Sequence, residues 1–492
     1  MQEVSAAWRA LHAEKLLPEC FVELSYTATE PNVWQGAQAD YENAAAYGAT
    51  GFTATAAAGP GGVYTDEPCV SFTWAALHTQ YLPGLSLLWG GGYAVSFTVT
   101  MFHDDTAVQV ISVPDNRAAS VELERNFGNY NKIQIAVSKW SEPGGTARLQ
   151  SVTLGLTRVY EKKDLTSFRH TQELDLLSGT LPVSDVTFSL DNSSGVWNPE
   201  NPASETRFLA QRQQVRVRYG MWIDGAVEWI PGGVMYLAEW DTPSNGLSAS
   251  FTAKSAVGLL TNPYTGPRTG SLYTLASAAL SQDLPFGATV SIDSSLLRYG
   301  AALPEEESYT TGAVLQLTAA AAGCVILQDR QGGVSVKPLP DGVASYRISR
   351  ANSYTHPEFT LSAPLSGVNV NDGQSVLSLG ADGMFETVTN PLITNETQAD
   401  MVSDWVARWL RFRRSVSGEF RPDVRLDVGD TIVLDSKYNA EGVIAVTGVT
   451  YTFTGAFRGT YAGRVIERNT SNGFADEIYA MADGDILYTR EE

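Results

Sequence analysis

Short runs in which apolar and polar residues alternate, broken by glycine, proline and paired-acid turn signals, dominate the first third of the chain. FVELSYTA, VSFTW, LSLLW, AVSFTVTMF, AVQVISV, KIQIAVSKW and LQSVTLGL carry this period-2 pattern or the continuous apolar character of a buried strand. GPGG, LPG, GGG, DD, PDN, GN and EPGG separate them. Many short strands at such spacing predict a jelly-roll sandwich over residues 20–160. Ahead of it, Ala7, Trp8, Leu11 and Leu16 share one side of a short helix that Pro18 closes, so 1–19 reads as an N-terminal helix.

The charged turn EKKDLTS at 161–167 marks a domain boundary, and β patterning then resumes over 165–265. There QQVRVRYGMWIDGAVEWIPGGVMYLAEWD predicts consecutive antiparallel strands, followed across a PSNG turn by LSASFTAKS. The period changes over 266–345. LYTLASAALSQ and Thr311–Ala322 read as helices, the second ended by Gly323, and CVILQDRQGGVSVKPL reads as a hairpin turning at Arg330–Gly333. This is a small α+β unit. Residues 346–468 return to β around one amphipathic helix, 396–414, which Asn395 caps with Gln398 three positions on. Met401, Val402, Trp405, Val406, Trp409 and Leu410 form its apolar side, and Arg411, Arg413 and Arg414 gather where the helix dipole favours cations. An acidic, weakly patterned tail fills 469–492. The fold class is therefore mainly β with minor α+β.

Charge narrows the function classes. With 33 Lys and Arg against 54 Asp and Glu the formal net charge is -21, which opposes phosphate binding and suits either a surface that DNA slides past or plain solubility. Three cysteines, Cys20, Cys69 and Cys324, are widely spaced and read as reduced core thiols, with no metal-ligand spacing. The first residues lack the apolar stretch of a signal peptide, and no run is long enough to span a membrane. The expectation is synthesis in the cytoplasm and release by lysis or inside a particle.

Few residues suggest chemistry. His103 beside Asp104 and Asp105 reads as a solvated hairpin tip, and His356 before Pro357 has no evident partner. GPGG and GGG lack a following helix and are turns, not phosphate loops. Glu228 beside Trp229, and Glu239–Trp240–Asp241, set acids against aromatics as a glycoside hydrolase would, or as strand-edge acids beside packing tryptophans do. The reading is not an enzyme: no catalytic residue, metal or cofactor is assigned. Trp34, Trp74, Trp89, Tyr93 and Trp140 lie in or beside turns of the sandwich, where exposed rings could stack on a sugar or core rings could end.

Several stretches together resemble the hub and tail-tip (baseplate hub) proteins of phage tails. LPVSDVTFSLDNSSGVWNPENP at 181–202 is similar to their segment in which a DN turn precedes an NPxNP-like loop; Asn192, Asn198, Pro199, Asn201 and Pro202 carry the match. VRVRYGMWIDGAVEWIPGGVMYLAEWDTPSNGLSASFTAKS resembles the tube-forming meander next to it in those proteins. The Trp/Arg helix, RPDVRLDVGDTIVL and VTYTFTGAFRGTYAGR resemble the closing portion. EPNVWQG, LPGLSLLWG, SFTVTMF, FGNYNKIQIAVSKW and ARLQSVTLG resemble a carbohydrate-binding-module-like jelly roll at the front of some such hubs. The resemblance implies tube-type β-barrel domains and a homotrimeric ring in the virion tail. It also implies contacts with the tail-tube or distal tail protein, the tape-measure protein and other baseplate parts, and DNA passing through without specific binding. The Asn/Pro loop is then an expected assembly contact, and Arg411, Arg413 and Arg414 an expected partner contact. The sandwich would offer a host-surface glycan site. Alternatives are a lectin-like protein and a glycoside hydrolase.

Overall fold

A computed structural model describes residues 4–13, 17–47, 51–79, 81–242, 246–285, 288–339, 344, 346–379, 383–437, 442–466, 479–482 and 485–488. The described residues are mainly β, with 48% strand and 16% helix. In chain order, helix α1 (Ala6–Ala13) leads into strand β1 (Glu19–Asn32) and the single turn α2 (Val33–Gly36). One sheet of a sandwich contains β2 (Gln38–Glu42), β5 (Cys69–His78), β7 (Ala94–His103), β8 (Thr106–Val113) and β10 (Tyr130–Trp140), in the order β2-β5-β10-β7-β8. Facing it are β3 (Ala44–Ala46), β4 (Phe52–Ala54), β6 (Leu82–Trp89), β9 (Ser120–Phe127) and the first half of β11 (Arg148–Tyr160). Alternate residues of both sheets, among them Phe72, Phe97, Ile133, Ile135, Leu85 and Leu87, fill the space between them.

The expected boundary at 161–167 is a tight turn, closed by Leu165 N to Glu161 O at 3.1 Å, into strand β12 (Leu165–Glu173). No linker separates the sandwich from the long sheet beyond it. β1 pairs along 22–27 with the second half of β11, and along 19–24 with β14 (Gln214–Ile223). Its backbone therefore belongs to both layers. From β14 the sheet continues through β15 (Ala226–Asp241), β16 (Ser248–Lys254), β13 (Asp185–Asp191) and β12.

Next along the chain is the α+β unit: β17 (Thr269–Ser271), α3 (Leu272–Asp283), β18 (Val290–Ile292), β19 (Gly300–Ala302), α4 (Thr311–Ala321), β20 (Val325–Gln328) and β21 (Val334–Lys337). Asp283, buried at the end of α3, accepts from Arg212 at 3.1 Å, the Asn262 side chain at 2.6 Å and Thr311 Oγ1 at 2.8 Å. One carboxylate thus joins both helices to the preceding sheet segment.

The remaining strands are β22 (Tyr346–Ile348), β23 (Glu358–Leu361), β24 (Leu365–Val370), β25 (Ser375–Ser378), β26 (Met384–Val388), β27 (Arg414–Phe420), β28 (Thr431–Leu434), β29 (Gly442–Phe453) and β30 (Phe457–Val465). β29 pairs with β12, and the sheet proceeds β29-β30-β27-β23, with β28 and β22 beside the first half of β29. Both halves wrap one core that includes Phe168, Phe188, Tyr219, Phe251, Phe420, Tyr451 and Tyr461, and Trp8 of α1 is fully buried in it. Among the described residues no sheet closes into a barrel.

Helix α5 (Glu396–Leu410) is capped by Asn395, whose Oδ1 accepts from Gln398 N at 3.0 Å. It is shorter than the 396–414 expected, because Arg414 already begins β27. Of the tail at 469–492, only a short hairpin, β31 (Tyr479–Ala482) with β32 (Asp485–Tyr488), lies within the described residues.

Candidate functional site

The five strands β12, β29, β30, β27 and β23 present two unlike faces. Strand alternation sends Phe168, His170, Tyr451, Tyr461 and Phe420 into the core. The opposite face carries Thr171, Thr450, Gly448, Thr460, Ala462, Ser417 and Thr360, with Glu173, Glu419 and Glu358 among them. Two neighbouring cavities of about 470 and 420 Å³ lie on this face and share Glu358, Ser417 and Ala462. The surface is hydroxyl-rich and long. Its charge is mixed: Arg169, Arg458 and Arg464 belong to the same strands, and Arg458 stands 3.7 Å from Glu419.

β23 ends this sheet. Among the described residues its one ladder is with β27, with Glu358 opposite Ser417, Phe359 opposite Val416 and Leu361 opposite Arg414. Tyr354 N to Glu419 O at 3.0 Å and Ser362 N to Arg413 O at 2.9 Å extend the pairing on both sides. Opposite residues of an antiparallel pair point the same way, so Phe359 and Leu361 continue the core face. The core stops at buried Val416, leaving Phe359 47% and Leu361 63% exposed.

The interior holds several polar groups. His170 shares a 2.8 Å hydrogen bond with the Tyr219 hydroxyl. Complete burial, assisted by the Arg330 charge, lowers its pKa to about 3, so it stays neutral and structural. Cys69 and Cys324 are buried free thiols, pushed by desolvation up to about 11 and about 12. Among the described residues no group of acids, histidines or cysteines is arranged to hold a metal ion, and no helix is long and apolar enough to cross a membrane.

The sandwich aromatics separate. Trp74, Trp89 and Trp140 are buried: Trp89 meets Trp140 edge-on at 6.1 Å, and Trp74 meets Tyr130 at 6.0 Å. Glycine loops cover Trp140, so a ring at a strand end is still inside the core. Trp34 is half-buried, edge-on to Phe72 at 4.8 Å, and Tyr93 is half-buried at the rim.

The Asn/Pro loop is pinned internally. Asn192 is buried, its Oδ1 accepting from Trp197 N at 2.8 Å and its Nδ2 donating to Gly246 O at 3.1 Å. Asn198 Oδ1 accepts from Glu200 N, and Asn201 Nδ2 donates to Gly195 O, both at 2.9 Å, forming successive turns that carry Pro199 and Pro202. The loop seats Trp197 in the core, edge-on to Phe251 at 4.9 Å.

The arginines are placed by the edge strand. Arg411 N closes α5 onto Ala407 O, Arg413 Nε donates to Ser362 O at 3.0 Å, and Arg414 lies opposite Leu361. Glu228 accepts from Ser5 N at 2.8 Å and so anchors the start of α1, while Glu239 is exposed 3.9 Å from Lys254. His103 sits in an exposed turn 3.9 Å from Asp104. Sequence reasoning missed the structural parts of Arg330, His170 and Asp283; only the general scarcity of buried charge could have drawn attention to them.

No protein-family model and no curated protein matches the chain. Among solved structures it is similar to the 43 kDa tail protein of prophage MuSo2 from Shewanella oneidensis, at 10% identity over 63% of this chain and 95% of that one, with a TM-score of 0.44. It is also similar to prophage tail protein gp18 from Listeria monocytogenes EGD-e, at 11% identity over 64% and 92% of the two chains, with a TM-score of 0.41. A quarter of the chain is similar to chitosan-binding module 1 of a Paenibacillus sp. IK-5 chitosanase/glucanase, at 14% identity over 25% of this chain and 98% of that module, with a TM-score of 0.20.

Proposed function

We propose that this chain is a structural subunit of a phage-type tail, a hub or tip protein that assembles with copies of itself into a three-fold ring. The observation that carries the reading is the long sheet left open at β23, with apolar side chains waiting beyond the margin of its core. An open sheet with such an edge is completed by another chain, and a heterologous contact that closes on itself gives a ring. The ordered hub-like segments over 165–468 supply the tail context. The small hydroxyl-bearing face suits a wall along which DNA slides, and the net charge of -21 discourages adhesion.

On this reading the role is mechanical and not catalytic. The partners are the tail-tube or distal tail protein, the tape-measure protein and other baseplate components, and the location is the virion tail. A glycan contact by the sandwich would fall to Trp34 and Tyr93, the two sequence-selected aromatics that keep accessible surface. Light scattering on the purified full chain, with electron microscopy of the same sample, tests the proposal. A three-fold ring with an open centre is the expected result, and a monomer at every concentration overturns it.

A further inference from the structure

A second strand of this protein has the same exposed character as β23. Among the described residues β8 is the last strand of its sheet and pairs with β7 alone. Its sequence, TAVQVISV, contains no charge and no proline, two of the devices by which free edges are kept from pairing, and its ladder with β7 is interrupted by a bulge at Val108. Val108, the extra residue where the register shifts between the Met101–Gln109 and Phe102–Ala107 pairs, and Val110 are 49% and 59% exposed.

The two edges match. β23 offers Phe359 and Leu361, two positions apart. Beside the Leu361 end stand Arg413 and Arg414, a cationic pair in a strongly acidic chain. Before the start of β8 stand Asp104 and Asp105, both exposed. At its other end Asp115 is offset by Arg117 nearby, so the charge of β8 is concentrated at its beginning. Antiparallel addition brings that beginning against the end of β23: with Asp105 opposite Ser362, in the row of Arg413, Val108 falls opposite Phe359.

We propose that β8 of one copy docks antiparallel along β23 of the next, so that the sandwich is the clasp between neighbouring subunits. This rests on the ring reading and adds its seam. The contact is heterologous: one copy gives its sandwich edge, and the neighbour gives its open sheet. Backbone pairing supplies attachment, Val108 and Phe359 cover each other, and the charges fix the direction.

Sedimentation of the full chain with charge-reversal variants tests the seam. One arm is Arg413→Glu with Arg414→Glu. The other is Asp105→Lys with Asp104→Asn, asparagine being chosen because Asp104 has a φ of 54°. Each arm alone weakens association about tenfold or more, and combining them restores it. Circular dichroism and thermal melting confirm that every variant is folded. If the arginine arm does not fold, the aspartate arm, confined to an exposed turn, decides alone. An assembly indifferent to either arm overturns the seam and leaves the ring reading standing, as does a combined variant that stays dissociated. A wild-type chain that is monomeric throughout overturns both.

Discussion

Arg330 Nε donates to Asp427 Oδ1 at 2.7 Å across 97 residues of chain, and this pair joins the α+β unit to the long sheet. The rest of the guanidinium donates to Pro231 O at 2.8 Å and Leu426 O at 3.2 Å, so a residue in a hairpin turn reaches both halves of the core. Only 4% of its side chain is exposed. Removing one partner of a buried pair strands the other, at a cost of roughly 3 kcal/mol or more. Arg330→Met should lower denaturant stability by that order. Arg330→Lys should recover little of it, since an ammonium cannot reproduce the fork of donors. Hydrogen exchange should show the β20–β21 hairpin opening first.

Asp283 gives the protein an acid-sensitive joint. Burial pushes its pKa up, but the backbone of Asn262, the Thr311 hydroxyl and Arg212 outweigh that effect and hold the carboxyl below its usual value. A depressed folded pKa means stabilisation that is complete above the unfolded value of about 3.9 and is lost as pH falls through the folded one. Asp283→Asn should therefore reduce stability at neutral pH and flatten its dependence on pH below about 4. Urea titrations at a series of pH values check both.

Two adjacent glycines should respond differently. Gly92 has a φ of 132°, and an added Cβ there would stand 3.0 Å from the Trp140 ring and 2.8 Å from Ser141 Oγ. Gly91 has a φ of 67° and nothing within 4 Å. Gly91→Ala should cost about 1 kcal/mol of backbone strain. Gly92→Ala adds overpacking and should cost roughly 1–3 kcal/mol more. Thermal melting of the two variants, followed by tryptophan fluorescence, separates the effects.

The tryptophans of α5 are unequal. Trp409 is 5% exposed, beside Val325 and Leu174, whereas Trp405 is half-buried against Gly323. Trp409→Ala should cost about 3–5 kcal/mol, and Trp405→Ala clearly less. Equal losses in chemical denaturation would contradict this ordering.

Strand content, the α+β unit and the Asn395 cap were legible because each is a local matter of period or capping. Pairing order was not. TAVQVISV and KIQIAVSKW look alike as sequence, yet β10 lies mid-sheet and β8 at the margin, and only tertiary order distinguishes them. Arg330 reads as an ordinary turn residue until the turn is docked. Trp89 and Trp140 sit at strand ends, which suggests exposure, but nearby glycine backbones close over Trp140. Asn192 was legible as a turn; that it secures a core tryptophan was not.

β1, hydrogen-bonded to β11 on one side and β14 on the other, changes what the front of the molecule can do mechanically. A domain on a tether swings and absorbs tension in its linker. Here a pull on the sandwich loads two ladders of hydrogen bonds in shear, along strands that continue into the long sheet. Shear strains many bonds together, so displacement at the tip arrives at the far side of the sheet as rotation with little slack. The sandwich is a handle cast in one piece with the long sheet.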